Sequence, residues 1–286
     1  MWGRRDRSTD DRGSSLEGPL SIRVSVVGAT GWTGRAVSEG VLQAADMQLV
    51  NAVARSSAGL DLGVAWGIEP NGLPVLGDVA SAAAQVDVVV DYTSASATKG
   101  IVLEALSAGA GVVVGSSGMS GSDYEDVDEA ARAAGRGVVA AGNFSVTAAM
   151  AKAAATLVAP FLPHREIIDF ASYGKPDSPS GTARELAEAL GGLGRSPLAR
   201  PIEETQGFPE ARGADIAGTQ VHSVRLPGFV VSTEVVFAMS DERLVIRHDA
   251  GGSAEPYVAG TLLAIRAVPQ VVGLVRGLDS LLLDRP

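Results

Sequence analysis

The sequence predicts an α/β protein in which a doubly wound parallel sheet is joined to a second, open sheet. Over residues 21–145, β-branched apolar runs alternate with helix-like segments, an order typical of parallel strands connected by crossover helices. Over residues 221–248, apolar and polar residues alternate, which is typical of strands in a partly exposed sheet. With 286 residues, 46% of them hydrophobic, the chain is long enough for two domains.

Composition excludes several classes of function. The formal net charge is −10, so nucleic acid or an anionic membrane surface would be repelled overall, and neither is expected as the main partner. The absence of cysteine excludes disulfides, thiolate catalysis and cysteine-ligated metal, and it agrees with a cytoplasmic location. We predict no metal site. Residues 1–20 are charged and polar with almost no periodic apolar positions, so we predict a disordered extension there.

The first motif is a glycine-rich turn between a strand and a helix. A β-branched strand over residues 22–27 runs directly into Gly28, and glycine recurs at Gly31 and Gly34. Glycines at this spacing tighten the turn, let the backbone approach a pyrophosphate and let the helix pack closely on the strand. The turn therefore predicts a dinucleotide site, whose candidate residues are Gly28, Thr30, Gly31, Trp32, Thr33 and Gly34.

The end of the second strand indicates which nicotinamide cofactor is preferred. At this position a carboxylate binds the ribose 2′-hydroxyl, whereas an arginine accommodates a 2′-phosphate. The strand over residues 48–54 is followed by Arg55 and Ser56, with no carboxylate. We predict NADPH as the preferred cofactor, with NADH possible.

Two further strand ends carry small polar residues. Gly115, Ser116 and Ser117 follow an apolar run over residues 111–114, and Asn143 and Phe144 follow the next β-rich run. The carboxyl ends of parallel strands open into the crevice where ligands bind. We predict that both segments line the cofactor site, while noting that glycine, serine and asparagine also favour plain turns.

Residues 175–183, Lys-Pro-Asp-Ser-Pro-Ser-Gly-Thr-Ala, form a strand-to-helix turn where we expect the chemistry to converge. An apolar run over residues 167–171 precedes it, and a run with helical spacing over residues 184–190 follows. Ser180 and Thr182 can each cap the helix, and Thr182 with Glu185 has capping-box spacing. Free N–H groups at a helix start bind carboxylates or phosphates. We therefore predict an anion site formed by Lys175, Ser180, Gly181 and Thr182.

The remaining segments follow from their periodicity. We predict an alanine-rich helix over residues 146–158, a long excursion over residues 191–218, and strands over residues 221–225, 229–237 and 243–248. Apolar helices over residues 257–267 and 271–283 are expected to pack back on the first domain.

These motifs resemble the dihydrodipicolinate reductase family of lysine and diaminopimelate biosynthesis over nearly all of residues 21–283. The resemblance rests on the glycine-rich turn, on Asp91-Tyr92-Thr93, on residues 115–118 and 143–145, and above all on residues 175–183. It implies a Rossmann domain at residues 21–145 and 257–286. It also implies an inserted α+β substrate-binding and oligomerisation domain at residues 146–256, built on an open mixed sheet. The resemblance further implies an NAD(P)H cofactor that contacts Tyr92 and Thr93, and it implies a homotetramer.

The resemblance also implies a reaction. Members of the family deliver a hydride to a cyclic α,β-unsaturated imine, whose carboxylates would contact Lys175 and the turn at residues 180–182. Members carry Glu-x-His-His-x-x-Lys before this turn, and the paired histidines supply the general acid and a substrate contact. In this chain the two histidine positions are Ala171 and Ser172.

Two hypotheses follow from this departure. In the first, the chain is an NADPH-dependent reductase of a small carboxylate-bearing imine or conjugated C=C/C=N compound other than the standard family substrate, with Lys175 or Tyr173 supplying the proton. In the second, it binds the nucleotide without turnover and acts as a sensor or an assembly partner. The first is favoured because both the cofactor turn and the anion turn are intact.

Overall fold

The computed structural model describes residues 21–283, so the extension predicted at residues 1–20 lies outside the described residues. Its larger sheet has seven parallel strands in the order β12-β6-β5-β4-β1-β2-β3. The strands are β1 Ile22–Val27, β2 Met47–Val53, β3 Val75–Leu76, β4 Val88–Asp91, β5 Gly111–Val114, β6 Gly137–Ala140 and β12 Gly273–Arg276.

Helices cover both faces of this sheet. They are α1 Trp32–Gln43, α2 Leu62–Ala65, α3 Val79–Ala83, α4 Ala95–Ser107, α5 Gly121–Ala134 and α8 Glu255–Ala267. Alternate residues of one strand enter different cores: Val26 packs in the cluster shared with α1 and α8, and Val27 packs in the cluster shared with α3, α4 and α5. Because successive strand side chains point to opposite faces, the sheet is buried on both sides, as the predicted doubly wound fold requires.

The second sheet has five strands in the order β11-β10-β7-β9-β8. They are β7 His164–Ala171, β8 Ala214–Ile216, β9 Thr219–Arg225, β10 Val231–Ala238 and β11 Arg243–Asp249. Strands β7 and β9 run parallel and the other pairs run antiparallel. Helices α6 Val146–Val158 and α7 Gly181–Gly191 pack on one face, against a core that includes Ile167, Val235 and Phe237. The predicted open mixed sheet is therefore confirmed.

The prediction of one helix over residues 271–283 is wrong. Gly273 and Gly277 have φ of 93° and 87°, the left-handed region that glycine tolerates, and they bound β12 before α9 Leu278–Leu283 begins. Strand β12 pairs in parallel with β6 and extends the sheet. A short apolar run is compatible with a buried strand or a buried helix. Here the positive φ angles of the two glycines interrupt a helix and favour the strand. Helix α8 packs against α1, as predicted.

None of the helices within residues 21–283 has the length and the apolar character that crossing a membrane requires.

Candidate active site

The carboxyl ends of β1, β2 and β4 open into a shared crevice. Gly28 has φ of 85°, and a Cβ atom there would overlap the carbonyl oxygen of Tyr92, so the turns after β1 and β4 touch through bare backbone. A Cβ atom at Gly34 would overlap the carbonyl of Gly28, so the first turn of α1 lies directly on the glycine-rich turn. Side chains at these two positions would push the loops apart, which is why the turn requires glycine.

Five of the predicted cofactor residues line one cleft of about 550 Å³ in this crevice: Gly28, Thr30, Arg55, Ser56 and Thr93. Arg55 and Ser56 form a single 3₁₀ turn, Arg55–Ser57, directly after β2. Asp78, the N-cap of α3, also lines the cleft. Trp32 lies at the start of α1, where it meets the Tyr257 ring edge-on at 6.0 Å between centroids.

Asp91, which sequence reasoning did not assign to the site, organises the loops after β4 and β5. Its side chain is fully buried, and Oδ1 accepts hydrogen bonds from Thr93 N at 3.1 Å and Thr93 Oγ1 at 2.6 Å. Thr93 N also donates to Ser116 Oγ at 2.7 Å. Burial raises the pKa of the Asp91 carboxyl, although the hydroxyl partners act against this. In the sequence, an acidic residue at the end of an otherwise apolar strand was the signal that could have pointed to the role of Asp91.

Two predicted cofactor residues place their rings in the core. The Tyr92 hydroxyl is 2.6 Å from Thr261 Oγ1, and burial raises the pKa of Tyr92. Its ring meets Phe144 edge-on at 6.3 Å between centroids, and Phe144 is only 1% exposed. Tyr92 also lies so close to Gly115 that a Cβ atom there would overlap the ring. Ligand contacts by Phe144 are therefore limited to its backbone.

The predicted anion turn is held by a buried ion pair behind it. Asp169 of β7 is fully buried and accepts hydrogen bonds from Ser180 N at 2.8 Å and from Ser180 Oγ at 2.6 Å. Arg225 of β9 donates to Asp169 Oδ2 and to the Asp177 carbonyl, both at 2.8 Å. Strands β7 and β9 therefore fix both sides of the turn before α7.

The predicted capping box is corrected by the structure. Ser180 alone is the N-cap, and its Oγ accepts a hydrogen bond from Ala183 N at 3.3 Å. Thr182 lies inside the helix because α7 begins at Gly181, and its hydroxyl instead donates to the Gly142 carbonyl at 3.4 Å. Glu185 accepts a hydrogen bond from the Gly142 N–H and pairs with a lysine of α6, so it is not available to the cap.

The first turn of α7 lies against the loops after β5 and β6. Asn143 Nδ2 donates to Thr182 Oγ1 at 3.2 Å, and a Cβ atom at Gly181 would lie 2.7 Å from Ser117 Cβ. The structure thus brings two predicted cofactor residues, Ser117 and Asn143, to two predicted substrate residues, Gly181 and Thr182. The anion turn therefore lies against the loops after β5 and β6, at the sheet edge where the parallel strands end.

Lys175 and Tyr173 lie on the turn between β7 and α7. Lys175 Nζ forms an ion pair with Asp177 Oδ1 at 2.8 Å, which orients the ammonium. Tyr173 is 74% exposed. At the two positions where histidines were expected, Ala171 is buried and Ser172 is half-buried.

The three histidines of the chain lie elsewhere. His164 is exposed at the start of β7, and His222 Nε2 lies 2.8 Å from Glu166 Oε2. His248 is buried with Nε2 at 3.1 Å from Thr147 Oγ1, and its burial lowers its pKa. No imidazole therefore replaces the missing pair on the turn itself.

Comparison with known proteins gives a match along nearly all of the described chain. Residues 22–144 match the family described as dihydrodipicolinate reductase, N-terminus, and residues 143–282 match dihydrodipicolinate reductase, C-terminus. The 4-hydroxy-tetrahydrodipicolinate reductase of Moorella thermoacetica is 39% identical over 265 residues, covering 92% of this chain and 98% of the relative. That of Thermosynechococcus vestitus is 38% identical, covering 91% and 97%.

Among solved structures, one dihydrodipicolinate reductase and one amine dehydrogenase are similar to this chain. A dipicolinate-bound dihydrodipicolinate reductase from Paenisporosarcina sp. TG-14 superposes with a TM-score of 0.74 at 27% identity, covering 91% of this chain and 99% of that one. An amine dehydrogenase from Mycobacterium smegmatis, 17% identical with a TM-score of 0.63 over 89% of this chain and 94% of that one, shares the fold.

Proposed function

The chain belongs to the dihydrodipicolinate reductase family and is an NAD(P)H-dependent oxidoreductase, and we propose that it uses NADPH to reduce a small, carboxylate-bearing imine or conjugated C=C/C=N compound. The observation that carries the proposal is the contact between the first turn of α7 and the loops after β5 and β6. An anion held at this turn would lie beside the crevice of the dinucleotide.

The crevice fits a dinucleotide phosphate. The glycine-rich turn presents backbone without side chains, and the adjoining cleft of about 550 Å³ has the size of a typical small-molecule site. Arg55 and Ser56 line this cleft, so they would hold the 2′-phosphate that distinguishes NADPH from NADH. When bound, NADPH supplies the hydride.

The anion turn would bind and orient the substrate. Gly181 and Thr182 begin α7, and their backbone N–H groups and the helix dipole favour a carboxylate, whereas the N–H of the N-cap Ser180 already donates to Asp169. The ammonium of Lys175, oriented by Asp177, would neutralise the charge that develops on the reduced nitrogen or carbon and donate the proton. Tyr173, on the same turn, is the other candidate donor.

A substrate different from the standard one is supported by the buried Ala171 and the neighbouring Ser172. General acid catalysis contributes about 10²–10⁴-fold, so loss of the paired histidines should slow the family reaction by about that factor.

The test is NADPH oxidation with the dihydrodipicolinate synthase product and with a panel of cyclic imines. We expect at least one panel member to be reduced faster than the family substrate. A family-typical rate on the family substrate would refute the proposal of a different substrate but not the proposed reductase activity. If no compound causes NADPH oxidation, the proposed reductase activity is refuted, and a nucleotide-binding protein without turnover is favoured.

Further expectations stay predictions. They are a cytoplasmic homotetramer, a small-molecule partner in place of nucleic acid or membrane, and a division into residues 21–145 with 257–286 and residues 146–256.

A further inference from the structure

A buried cluster of three charged side chains lies behind the site, and the proposed reaction does not use it. Lys152 of α6 forms ion pairs with Glu185 of α7 at 2.6 Å and with Asp279 of α9 at 2.8 Å. The three side chains are 16%, 18% and 15% exposed. Burial by itself would lower the pKa of Lys152, but the two carboxylates together raise it, so the ammonium stays charged at neutral pH. We call these three residues the clamp.

The clamp is linked directly to the site. One carboxylate oxygen of Glu185 contacts Lys152, and the other accepts a hydrogen bond from the Gly142 N–H. The Gly142 carbonyl accepts a hydrogen bond from Thr182, and the next residue, Asn143, donates to the same Thr182 hydroxyl. Gly142 therefore links the ion pairs to the contact between the loop after β6 and the first turn of α7.

Glycines leave the room that this arrangement needs. A Cβ atom at Gly142 would lie 2.6 Å from Glu185 Oε2, and one at Gly277 would lie 2.6 Å from Lys152 Nζ. The loops after β6 and β12 thus approach the clamp with bare backbone. A buried ion pair adds little stability relative to apolar residues of similar volume. We therefore expect the clamp to act by fixing the positions of the segments that it joins.

We propose that Lys152, Glu185 and Asp279 are positioning residues that hold the loop between β6 and α6 against the first turn of α7. They thereby fix the distance between the hydride donor and the carboxylate site. The catalytic consequence rests on the proposed function. Since a displacement of about 1 Å can cost about 100-fold in rate, loss of the clamp should appear in turnover more than in cofactor affinity.

The test compares Lys152→Met, Lys152→Arg and Arg266→Met in the full chain. Arg266 forms a more exposed ion pair with Asp46 at 2.7 Å that joins α8 to the start of β2, away from the site, and serves as the control. Amide hydrogen exchange is measured by mass spectrometry without ligands. Turnover, the Michaelis constant and NADPH affinity are measured with the imine found in the activity screen.

We expect Lys152→Met to raise exchange at residues 141–145 and 181–184 and to lower kcat by about 10–100-fold, with NADPH affinity within about twofold of wild type. Lys152→Arg should restore part of the protection from exchange and part of kcat, and Arg266→Met should leave exchange in these segments and kcat unchanged. Wild-type exchange at residues 141–145 in Lys152→Met, or a uniform rise that Arg266→Met reproduces, would overturn the proposal. If the wild type reduces no imine, the proposed function fails, but the exchange comparison still decides the clamp. Should Lys152→Met not fold, Glu185→Gln is measured in the same way.

Discussion

Replacing Asp169 with asparagine should loosen the anion turn and leave the cofactor crevice intact. The buried carboxylate accepts hydrogen bonds from Ser180 N, Ser180 Oγ, Ser223 Oγ and Arg225 Nη2 at 2.6–3.2 Å. Asparagine keeps the size of the side chain and one acceptor oxygen, but it leaves Arg225, only 17% exposed, without a negative partner.

The expected cost follows from that geometry. Removing one partner of a buried ion pair costs about 3–5 kcal/mol, and the retained acceptor and the partial exposure of Arg225 reduce this to about 2–4 kcal/mol. Urea unfolding gives the difference as the shift in Cm multiplied by the shared m value. NADPH affinity, titrated by fluorescence, should stay within about twofold of wild type because Asp169 lies outside the dinucleotide cleft.

Glu39→Gln is the control, because it removes an exposed ion pair with Arg35 at 2.9 Å within one helix. Such pairs contribute about 0.3–0.5 kcal/mol. A loss for Asp169→Asn as small as that of Glu39→Gln would refute the claim that the Asp169–Arg225 pair anchors the turn.

Three further predictions concern single side chains. Arg55→Ala should weaken NADPH binding by about 10–100-fold, from a charge-assisted contact of about 1.5–3 kcal/mol, and leave NADH binding unchanged in fluorescence titrations; equal losses for both would remove Arg55 from the 2′-phosphate site. Lys175→Met should lower kcat at saturating substrate if Lys175 donates the proton, whereas a raised Michaelis constant with unchanged kcat would make it a binding residue only. Burial lowers the pKa of His248 in the folded chain. As the pH falls below about 6.5, His248 is therefore protonated in the unfolded chain before it is protonated in the folded chain, and the free energy of unfolding decreases. His248→Gln should therefore flatten the decline in unfolding free energy between about pH 7 and pH 5, and an unchanged slope would show that His248 does not contribute.

The features that the sequence predicted well are local. The strand, the glycine-rich turn and the helix that begins at Trp32 follow one another along the chain, so spacing alone was enough to locate them. The same holds for Ser180 at the start of α7, where the cap and the helix are adjacent. A local pattern failed in the apolar run that forms β12, which was ambiguous between strand and helix, and in the capping box proposed for Thr182 and Glu185.

The features that the sequence did not reveal depend on distant partners. Asp169 and Arg225 lie 56 residues apart, and they meet only because β7 and β9 pair in parallel. Glu185 has the spacing of a capping box with Thr182, yet α7 begins before Thr182, and Glu185 pairs with Lys152, 33 residues away. A propensity describes what a residue can do with its neighbours in sequence, and a buried charge is satisfied by whatever the fold brings to it.

The first turn of α7 is the proposed binding site for a substrate carboxylate beside the hydride donor. The sharpest test of this binding compares kcat/KM for two cyclic imines that differ only in the carboxylate, 1-piperideine-2-carboxylate and 1-piperideine, with NADPH as the donor. Charge-assisted contacts of about 1.5–3 kcal/mol predict that the carboxylate-bearing imine is preferred by about 10–100-fold, and that Thr182→Val reduces this preference. Equal kcat/KM values for the two imines would show that the turn does not bind the substrate carboxylate.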